Sequence, residues 1–568
     1  MSFNTNAAVS AGCFSASPHN EHSRLAIVSA DPASQAHCET SAHNGVNAAP
    51  AHATARMKKL LSRFVTVIGP GIALYFLLFH GLANVAFLSA DEPRYASIGR
   101  AMAHTGDWIT PRLNHEPWFE KPPLLYWMTA TAWKLGLRDE LAARLPVALL
   151  SAAFLIFFYL RLRRDFGHPP AFAAASILAT STGWIVYSNV AVTDLPLAAC
   201  FSIAMLLALP APNTTSSPLY HSAEPLPTAR ASIESSIRFD AAPRPRPLAT
   251  HPRSLPLACG LFLGLAMLAK GLVPAALALP ALYFHRHHWR RILAIAALAA
   301  AVALPWFLLA TARNGSQPWH DLILKHHFAR FFGGDIHHER PFWFYLPVLL
   351  GGLLPWTPAL IALKRRANHP FPWSDLRLQY LAAWAAFGFL FFSASANKLP
   401  GYLLPILPPI AALIGIRAHA ALASSRPLKL AIAACVPVLV FGATILPDAL
   451  TDGLSHAPLQ LRNLALMAGA ALAGFCSPAT AVAALTLWAK LTIYPVLDQH
   501  LGARQLWREI QPRASETCVE WIGRDWQYGL DYYAQPPLPP CDTEPRAVEL
   551  VGENGVRPAL RQRSTLPQ

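Results

Sequence analysis

Apolar residues fall in blocks along this chain instead of being spread evenly. The first block runs from Phe64 to Ala90, and others begin near residues 141, 171, 191, 255, 271, 292, 343, 377, 401, 428, 461 and 479. A block of about 20 apolar residues is long enough to cross a bilayer as a helix. The pattern therefore predicts an all-α integral membrane protein with roughly thirteen transmembrane helices.

Two long segments lack this apolar pattern. Residues 1–56 are rich in Ala, Ser, Asn and His, and residues 210–254 are rich in Pro and Ser with several arginines. Neither segment can bury a core, so the composition predicts a disordered cytoplasmic extension and a disordered cytoplasmic insertion. The transmembrane domain is then expected over residues 57–497. The remaining residues 498–568 are expected to form a small outward-facing C-terminal domain, in which residues 518–523 indicate a strand.

Composition and charge agree with a membrane protein and set its orientation. Hydrophobic residues make up 54% of the chain and charged residues only 14%, whereas soluble domains carry about 25% charged residues. The formal net charge of +15 does not point to nucleic acid, because the basic residues stand in clusters between apolar blocks. Such clusters stay on the cytoplasmic side. The loops 91–140, 312–342 and 397–400 and the C-terminal domain then face outward. The clusters are Arg161, Arg163 and Arg164; Arg286, Arg290 and Arg291; Lys364, Arg365 and Arg366; and Arg417, Arg426 and Lys429.

The first outward loop, 91–140, contains the densest group of reactive side chains. It opens with Asp91-Glu92-Pro93-Arg94-Tyr95, continues through Gly106-Asp107-Trp108, and reaches Phe119-Glu120-Lys121-Pro122-Pro123. Carboxylates at a membrane boundary are costly and usually have a functional reason. Together with single cations and aromatic rings, they suit a surface that meets sugar and phosphate. Asp–Arg pairs of this kind also serve simply to hold loops in place.

These segments, followed by Asp194 and by Lys398-Leu399-Pro400-Gly401-Tyr402, resemble the bacterial membrane glycosyltransferases of the aminoarabinose transferase and protein O-mannosyltransferase superfamily. The resemblance covers about residues 57–500 and is greatest to the undecaprenyl phosphate-aminoarabinose transferases that modify lipid A. It implies a GT-C type helical bundle whose periplasmic juxtamembrane helices stand over a cavity. The C-terminal domain lies beyond the resemblance, and its own pattern, a strand followed by a short helix or second strand, predicts a small periplasmic α/β domain. The resemblance also implies a polyprenyl-phosphate sugar donor, membrane lipids as partners, and an active site on the periplasmic side of the bacterial inner membrane.

The resemblance assigns roles to individual residues. Asp91, Glu120 and Asp194 match the family's acids and are the expected catalytic residues. The expected substrate-binding residues are Arg94, Lys121, Lys270, Arg330, Lys398 and Tyr402. A polyprenyl phosphate leaving group carries negative charge, which cations in a partly dry site stabilise strongly. Lys270, at the outer end of a short span, could equally be a lysine that only reaches towards the interface.

The sequence leaves the chemistry of the acids open. Asp91, Glu120 and Asp194 could bind a divalent metal ion of undetermined identity, act as a base, or orient the acceptor. The phosphate of lipid A has a second pKa of about 6 and is mostly ionised already, so it hardly needs a base. A hydroxyl acceptor must lose its proton, and Asp91 would then be the natural base.

Histidine and cysteine change this picture little. Five histidines in the loop 312–342 could include a metal ligand, but the favoured interpretation is that they are polar tips of an interfacial aromatic belt, and none is assigned to the site. Cys518 and Cys541 both fall in the outward-facing C-terminal domain, where an oxidising compartment would permit a disulfide between them.

The sequence favours transfer of aminoarabinose from a polyprenyl phosphate to lipid A. The alternative is protein O-mannosylation or transfer to another glycan acceptor. A transporter or flippase would instead show related halves and charges deep in several spans. A membrane scaffold would not need paired acids beside a Lys-Pro-Pro turn.

Overall fold

The computed structural model describes residues 68–211, 254–329, 339–364, 374–451, 461–552 and 557–563. The predicted extension 1–56, nearly all of the predicted insertion 210–254, and Arg330 lie outside these ranges. Residues Gly69–Gln568 form one unit of helices with two small sheets.

Helices supply most of the regular structure. In chain order they are α1 (Gly69–Leu78), α2 (Asp91–Thr105), α3 (Leu124–Lys134), α4 (Asp139–Phe166), α5 (His168–Ala179), α6 (Thr182–Ser188), α7 (Asp194–Leu207), α8 (Ser254–Lys270), α9 (Val273–Leu277), α10 (Leu279–Phe284), α11 (Trp289–Asn314), α12 (Tyr345–Gly352), α13 (Ala359–Lys364), α14 (Leu376–Ala394), α15 (Leu407–Ser424), α16 (Arg426–Thr451), α17 (Leu461–Cys476) and α18 (Pro478–Leu501). A π-helix covers Trp319–Ala329, and short 3-10 segments cover Arg286–His288, Phe342–Phe344 and Pro400–Ile406.

Within the described residues, six helices are long and apolar enough to cross a membrane: α4, α11, α14, α15, α16 and α18, some with the turn that precedes them. A further candidate is the pair α5 and α6, which is bent by 62°. The bend lies at Ser181, whose extended backbone interrupts the helix. The hydroxyls of Thr180 and Ser181 donate to carbonyls one turn back, at 2.5 and 2.6 Å. Five shorter apolar helices complete the set. The predicted all-α membrane bundle is confirmed, whereas the count of thirteen spans stays a prediction.

The predicted outward loop 91–140 folds largely as two helices, α2 and α3, which pack against each other and beside α4. A hairpin of β1 (Arg112–Leu113) and β2 (Glu116–Pro117) lies between them. Gly99 of α2 lies so close to α3 that an added Cβ would stand 2.6 Å from the Cβ of Thr129. These helices therefore form a rigid support at one end of the bundle, which we call the outer end.

A buried ion pair fixes α2 to the bundle. Arg144 of α4 donates from Nε and a terminal nitrogen to the two oxygens of Glu92, at 2.6 Å each. It also donates to the carbonyls of Leu82, Val85 and Ala86. Glu92 in turn accepts from the backbone N–H of Ala191 at 2.8 Å. Both side chains are almost fully buried, so this network joins four separate segments at the outer end.

The chain after α18 forms the small α/β domain that its sequence pattern predicted. It contains α19 (Ala503–Ile510), β3 (Thr517–Trp521), α20 (Arg524–Tyr533), β4 (Val548–Val551) and β5 (Ala559–Gln562). Strand β4 is central, parallel to β3 and antiparallel to β5. A disulfide joins Cys518 to Cys541, as the oxidising compartment would permit. The domain packs on the outer end through α20, which contacts α2.

We expect Arg144→Met to destabilise the protein by about 3–5 kcal/mol, because Glu92 would remain as a buried charge without its partner. The double variant Glu92→Gln with Arg144→Met should recover part of this loss, since it removes both charges. Thermal unfolding of the purified protein in detergent measures the difference. A single variant as stable as the wild type would show that the network does not hold the outer end together.

Candidate functional site

Two cavities meet at the outer end of the bundle. The larger, of about 640 Å³, is polar and is lined by α2, by the turn before α3, by the start of α7 and by α20. The smaller, of about 310 Å³, is mostly apolar and includes Leu197, Leu272, Val273, Phe391 and Phe392 in its lining. Five residues line both cavities and so form a neck between them: Glu120, Lys121, Lys270, His326 and Tyr402.

The charged side chains of the site project from the ends of helices. Asp91 begins α2 and Asp194 begins α7, whereas Lys270 ends α8. Acids at a helix N-terminus and a lysine at a helix C-terminus are each favoured by the helix dipole. Glu120 and Lys121 lie in the turn before α3, where Pro122 and Pro123 restrict the backbone. The local sequence thus presents the charges of the site from a rigid frame.

One chain of ion pairs runs along the wall of the polar cavity. Arg94 contacts Asp91, and it lies 3.1 Å from the second acid, Glu120. Glu120 also pairs with Lys121 at 2.9 Å. The side chain of Asp91 is 45% exposed, whereas those of Arg94, Glu120 and Lys121 are at most 11% exposed. Asp91 is therefore the acid of this chain that is open to a ligand in the cavity.

Aromatic rings hold Arg94 in place. Its guanidinium carbon lies 5.3 Å from the ring centre of Tyr95, 5.5 Å from that of Trp118 and 5.4 Å from that of Tyr528. Tyr528 belongs to α20 of the C-terminal domain. Cation–π contacts of this kind fix the guanidinium without neutralising it. Arg94 thus positions Asp91 and Glu120 together.

A second ion pair lies on the opposite side of the neck. Lys270 donates to Asp194 at 2.6 Å, and its ammonium lies 4.3 Å from the ring centre of Tyr402. Gly401 makes this arrangement possible, because an added Cβ would stand 2.6 Å from the Asp194 carboxylate and 2.7 Å from the Tyr187 ring. The interpretation of Lys270 as a lysine that only reaches towards the interface therefore does not hold, since its ammonium contacts Asp194 within the neck.

Electrostatics keep Glu120 ionised. Burial alone would raise the pKa of its carboxyl group, but the positive charges of Lys121 and Arg94 lower that pKa by more than burial raises it. The net result is a pKa well below the ordinary value. A carboxylate with a lowered pKa is a poor acceptor of protons. Glu120 is therefore suited to orienting Lys121 and Arg94 and unsuited to acting as a general base.

The side chains around the cavity do not favour the binding of a divalent metal ion. Each of the three acids expected to bind it already contacts a cation: Asp91 contacts Arg94, Glu120 contacts Lys121, and Asp194 contacts Lys270. No group of three His, Cys, Asp or Glu residues within the described ranges is arranged to hold a metal ion. A metal ion would have to displace Lys or Arg, so we assign no step to it and the metal stays a prediction.

The structure brings most of the predicted residues together, but not Lys398. Asp91, Arg94, Glu120, Lys121, Asp194, Lys270 and Tyr402 all line the polar cavity. The ammonium of Lys398 instead donates to the carbonyls of Ser395 and Arg340 and lines neither cavity. Ser395 directly follows α14, where carbonyls lack partners within the helix. Lys398 therefore closes the end of α14 in this structure.

Three basic residues of the polar cavity wall were not predicted for the site. Lys325 and His326 come from the π-helix, and Arg524 is the first residue of α20. His326 belongs to the histidine group that was interpreted as an aromatic belt. The sequence signal for Lys325 and Arg524 is only that each is a cation in an outward-facing segment.

The chain is similar in sequence to known glycosyltransferases. The family described as dolichyl-phosphate-mannose-protein mannosyltransferase matches residues 120–220. An undecaprenyl phosphate-alpha-4-amino-4-deoxy-L-arabinose arabinosyl transferase of Pseudomonas aeruginosa is 33% identical over 346 residues, which cover 59% of this chain and 56% of that protein. A protein of the same description, numbered 2, from Proteus mirabilis is 30% identical over 361 residues, which cover 60% and 58%. The chain thus spans little more than half the length of these relatives.

A solved structure shows the same fold. The crystal structure of ArnT from Cupriavidus metallidurans bound to undecaprenyl phosphate superposes with a TM-score of 0.63 at 23% identity, covering 89% of this chain and all of that one. The unliganded structure of that protein gives a TM-score of 0.62. The similarity predicted from the motifs is thus confirmed, and the chain is a multi-pass membrane protein with the fold of the ArnT structure.

Proposed function

We propose that this protein is a membrane glycosyltransferase that moves aminoarabinose from a polyprenyl phosphate to lipid A. The observation that carries this proposal is the neck, where an apolar cavity meets a polar one at Lys121 and Lys270. A lipid-linked sugar has the same division into an apolar chain, an anionic phosphate and a polar sugar. The names of the sequence relatives, which contain undecaprenyl phosphate and 4-amino-4-deoxy-L-arabinose, support the choice of donor. The choice of lipid A as acceptor follows from the resemblance of the motifs.

The donor fits the cavities in one orientation. Its isoprene units would lie against the apolar wall, which includes Leu197, Val273 and Phe391. Its phosphate would then reach the ammonium groups of Lys121 and Lys270, with Tyr402 beside them. The sugar would enter the polar cavity, whose lining includes Asp91 and Asp194. Neither of these acids lines the apolar cavity.

The transfer itself is a substitution at the anomeric carbon of the sugar. An oxygen of the acceptor forms a bond to that carbon, and the bond from the carbon to the carrier phosphate breaks. The polyprenyl phosphate leaves with the electron pair, and Lys121 and Lys270 stabilise the charge that develops on it. An ionised phosphate acceptor needs no base, whereas a hydroxyl acceptor would give its proton to Asp91, the exposed acid.

The orientation in the membrane follows from the charges. Helix α4 begins at the outer end, where Asp139 accepts from Tyr532 of α20, and it ends in the basic cluster with Arg163 and Arg164. The outer end and this cluster therefore lie at opposite ends of α4. Basic clusters stay on the cytoplasmic side. We therefore place the site on the periplasmic face of the bacterial inner membrane, where lipid A is available.

Mass spectrometry of lipid A tests the proposed function most simply. Cells that carry the gene should contain lipid A with added aminoarabinose, and cells that lack it should not. Unchanged lipid A together with loss of a mannosylated protein would contradict this acceptor. It would favour protein O-mannosylation, which the matched family description also permits.

Lys121→Ala should weaken binding of undecaprenyl phosphate by about a hundredfold, because the variant loses a charged contact in a partly dry site. Lys121→Arg keeps the charge with another geometry and should be intermediate. The alternative is that Lys121 only holds Glu120. In that case the exchange Glu120→Lys with Lys121→Glu would restore activity, and such a rescue would exclude the phosphate role.

Gly401→Ala should reduce transfer at least tenfold without unfolding the protein, since the new methyl group would push the Asp194 carboxylate away from Lys270. Steady-state kinetics and thermal unfolding of the same preparation measure the two effects. Gly442→Ala is the matched control, because an added Cβ there meets nothing within 4 Å. Equal activity of both variants would show that the position of Asp194 is unimportant.

Asp91→Asn should abolish transfer while the protein stays folded in detergent, because the site uses the charge of this acid and not its shape. Asparagine keeps the size of the side chain but no longer neutralises Arg94. Activity is measured with purified donor and acceptor, and folding by size-exclusion chromatography. Wild-type turnover in the variant would remove Asp91 from the mechanism.

A further inference from the structure

The polar cavity carries more positive charge than the donor phosphate requires. Its lining contains three carboxylates against five lysines and arginines, an excess of two cations. The cations at the neck and on α2 are paired with acids, namely Lys121 with Glu120, Lys270 with Asp194 and Arg94 with Asp91. The excess is therefore carried by Lys325 and Arg524.

Lys325 and Arg524 differ from the neck cations in two respects. Both line the polar cavity and neither lines the apolar one, so they lie on the side away from the lipid chain of the donor. Both residues are exposed, and neither forms an ion pair with an acid within the described ranges. The guanidinium carbon of Arg524 lies 5.9 Å from the ring centre of Tyr528. Two cations that face one cavity without acids of their own create a positive potential that attracts an anion.

The fold holds Arg524 at this place. Arg524, Tyr528 and Tyr532 are spaced four residues apart and so lie along one face of α20. Tyr528 packs on Arg94, and the carbonyl of Tyr532 accepts from Arg100 at 2.9 Å. The hydroxyl of Tyr533 donates to Glu140 of α4. These contacts fix α20 on α2 and direct its first residue into the cavity.

We propose that Arg524 and Lys325 form a second phosphate subsite, which binds the phosphate of the acceptor while the neck binds the phosphate of the donor. The C-terminal domain thereby takes part in choosing an acceptor that carries phosphate. The guanidinium of Arg524 can give two parallel hydrogen bonds to a phosphate, and Lys325 adds a point charge. This inference rests on the proposed function, because it names the acceptor subsite of the same reaction.

Steady-state kinetics of the full chain separate the two subsites. Arg524→Gln and Lys325→Gln should each raise the KM for lipid A about tenfold, as expected for the loss of one charged hydrogen bond, and should leave the KM for the donor unchanged. Arg524→Lys should retain most of the affinity. Arg561→Gln is the matched control, because it removes an exposed arginine of the same domain that lines neither cavity. A rise in the donor KM, or equal effects of Arg524→Gln and Arg561→Gln, would overturn the proposal.

A binding measurement keeps this test separate from the proposed function. Purified lipid A and chemically dephosphorylated lipid A are compared for binding to the protein in detergent, without any donor. The wild type should prefer the phosphorylated lipid, and Arg524→Gln should lose that preference. Equal binding of the two lipids by the wild type would overturn the subsite whether or not sugar transfer occurs. Phosphate-dependent binding without any transfer would support the subsite and reject the proposed reaction.

Discussion

The buried ion pair between Glu92 and Arg144 connects the two sides of the polar cavity. Glu92 is next to Asp91 in α2, and it accepts from the backbone of Ala191, three residues before Asp194. Arg144 meanwhile binds three carbonyls of the segment that leads into α2. Because a buried pair of this kind tolerates little movement, we infer that it sets the distance between Asp91 and Asp194 through contacts that lie outside the cavity lining. The relative positions of Asp91 and Asp194 therefore depend on this pair.

The cations of the site fall into two groups, those that form an ion pair with an acid and those that do not. Lys121 and Lys270 each contact an acid and stand at the neck, where they remain positioned before any donor arrives. Lys325 and Arg524 have exposed side chains on the far wall of the polar cavity. Preorganised cations stabilise developing charge without reorganising, whereas exposed ones contribute to capture of an anion. This division matches a reaction in which one phosphate leaves and another one arrives.

The sequence predicted the fold well, since a bilayer requires long apolar helices and these leave a clear pattern. The motifs also contain most of the acids and cations that line the polar cavity. Only the resemblance separated Asp91 from Glu92, because the two acids are adjacent in sequence and no local pattern distinguishes them, although they point about 100° apart around a helix of 3.6 residues per turn. The sequence could not show that Lys398 turns to the end of α14. The role of Arg524 depends on how a separate domain packs on α2, a contact across more than 400 residues that leaves no local pattern.

The central claim is that the carrier phosphate lies at the neck between the apolar and polar cavities. A structure of the protein with undecaprenyl phosphate, determined by electron cryomicroscopy, tests this claim most directly. The account predicts phosphate density within hydrogen-bond distance of Lys121 and Lys270, with the isoprene chain against Leu197, Val273 and Phe391. Phosphate density at Lys325 and Arg524, or an isoprene chain outside the apolar cavity, would contradict it.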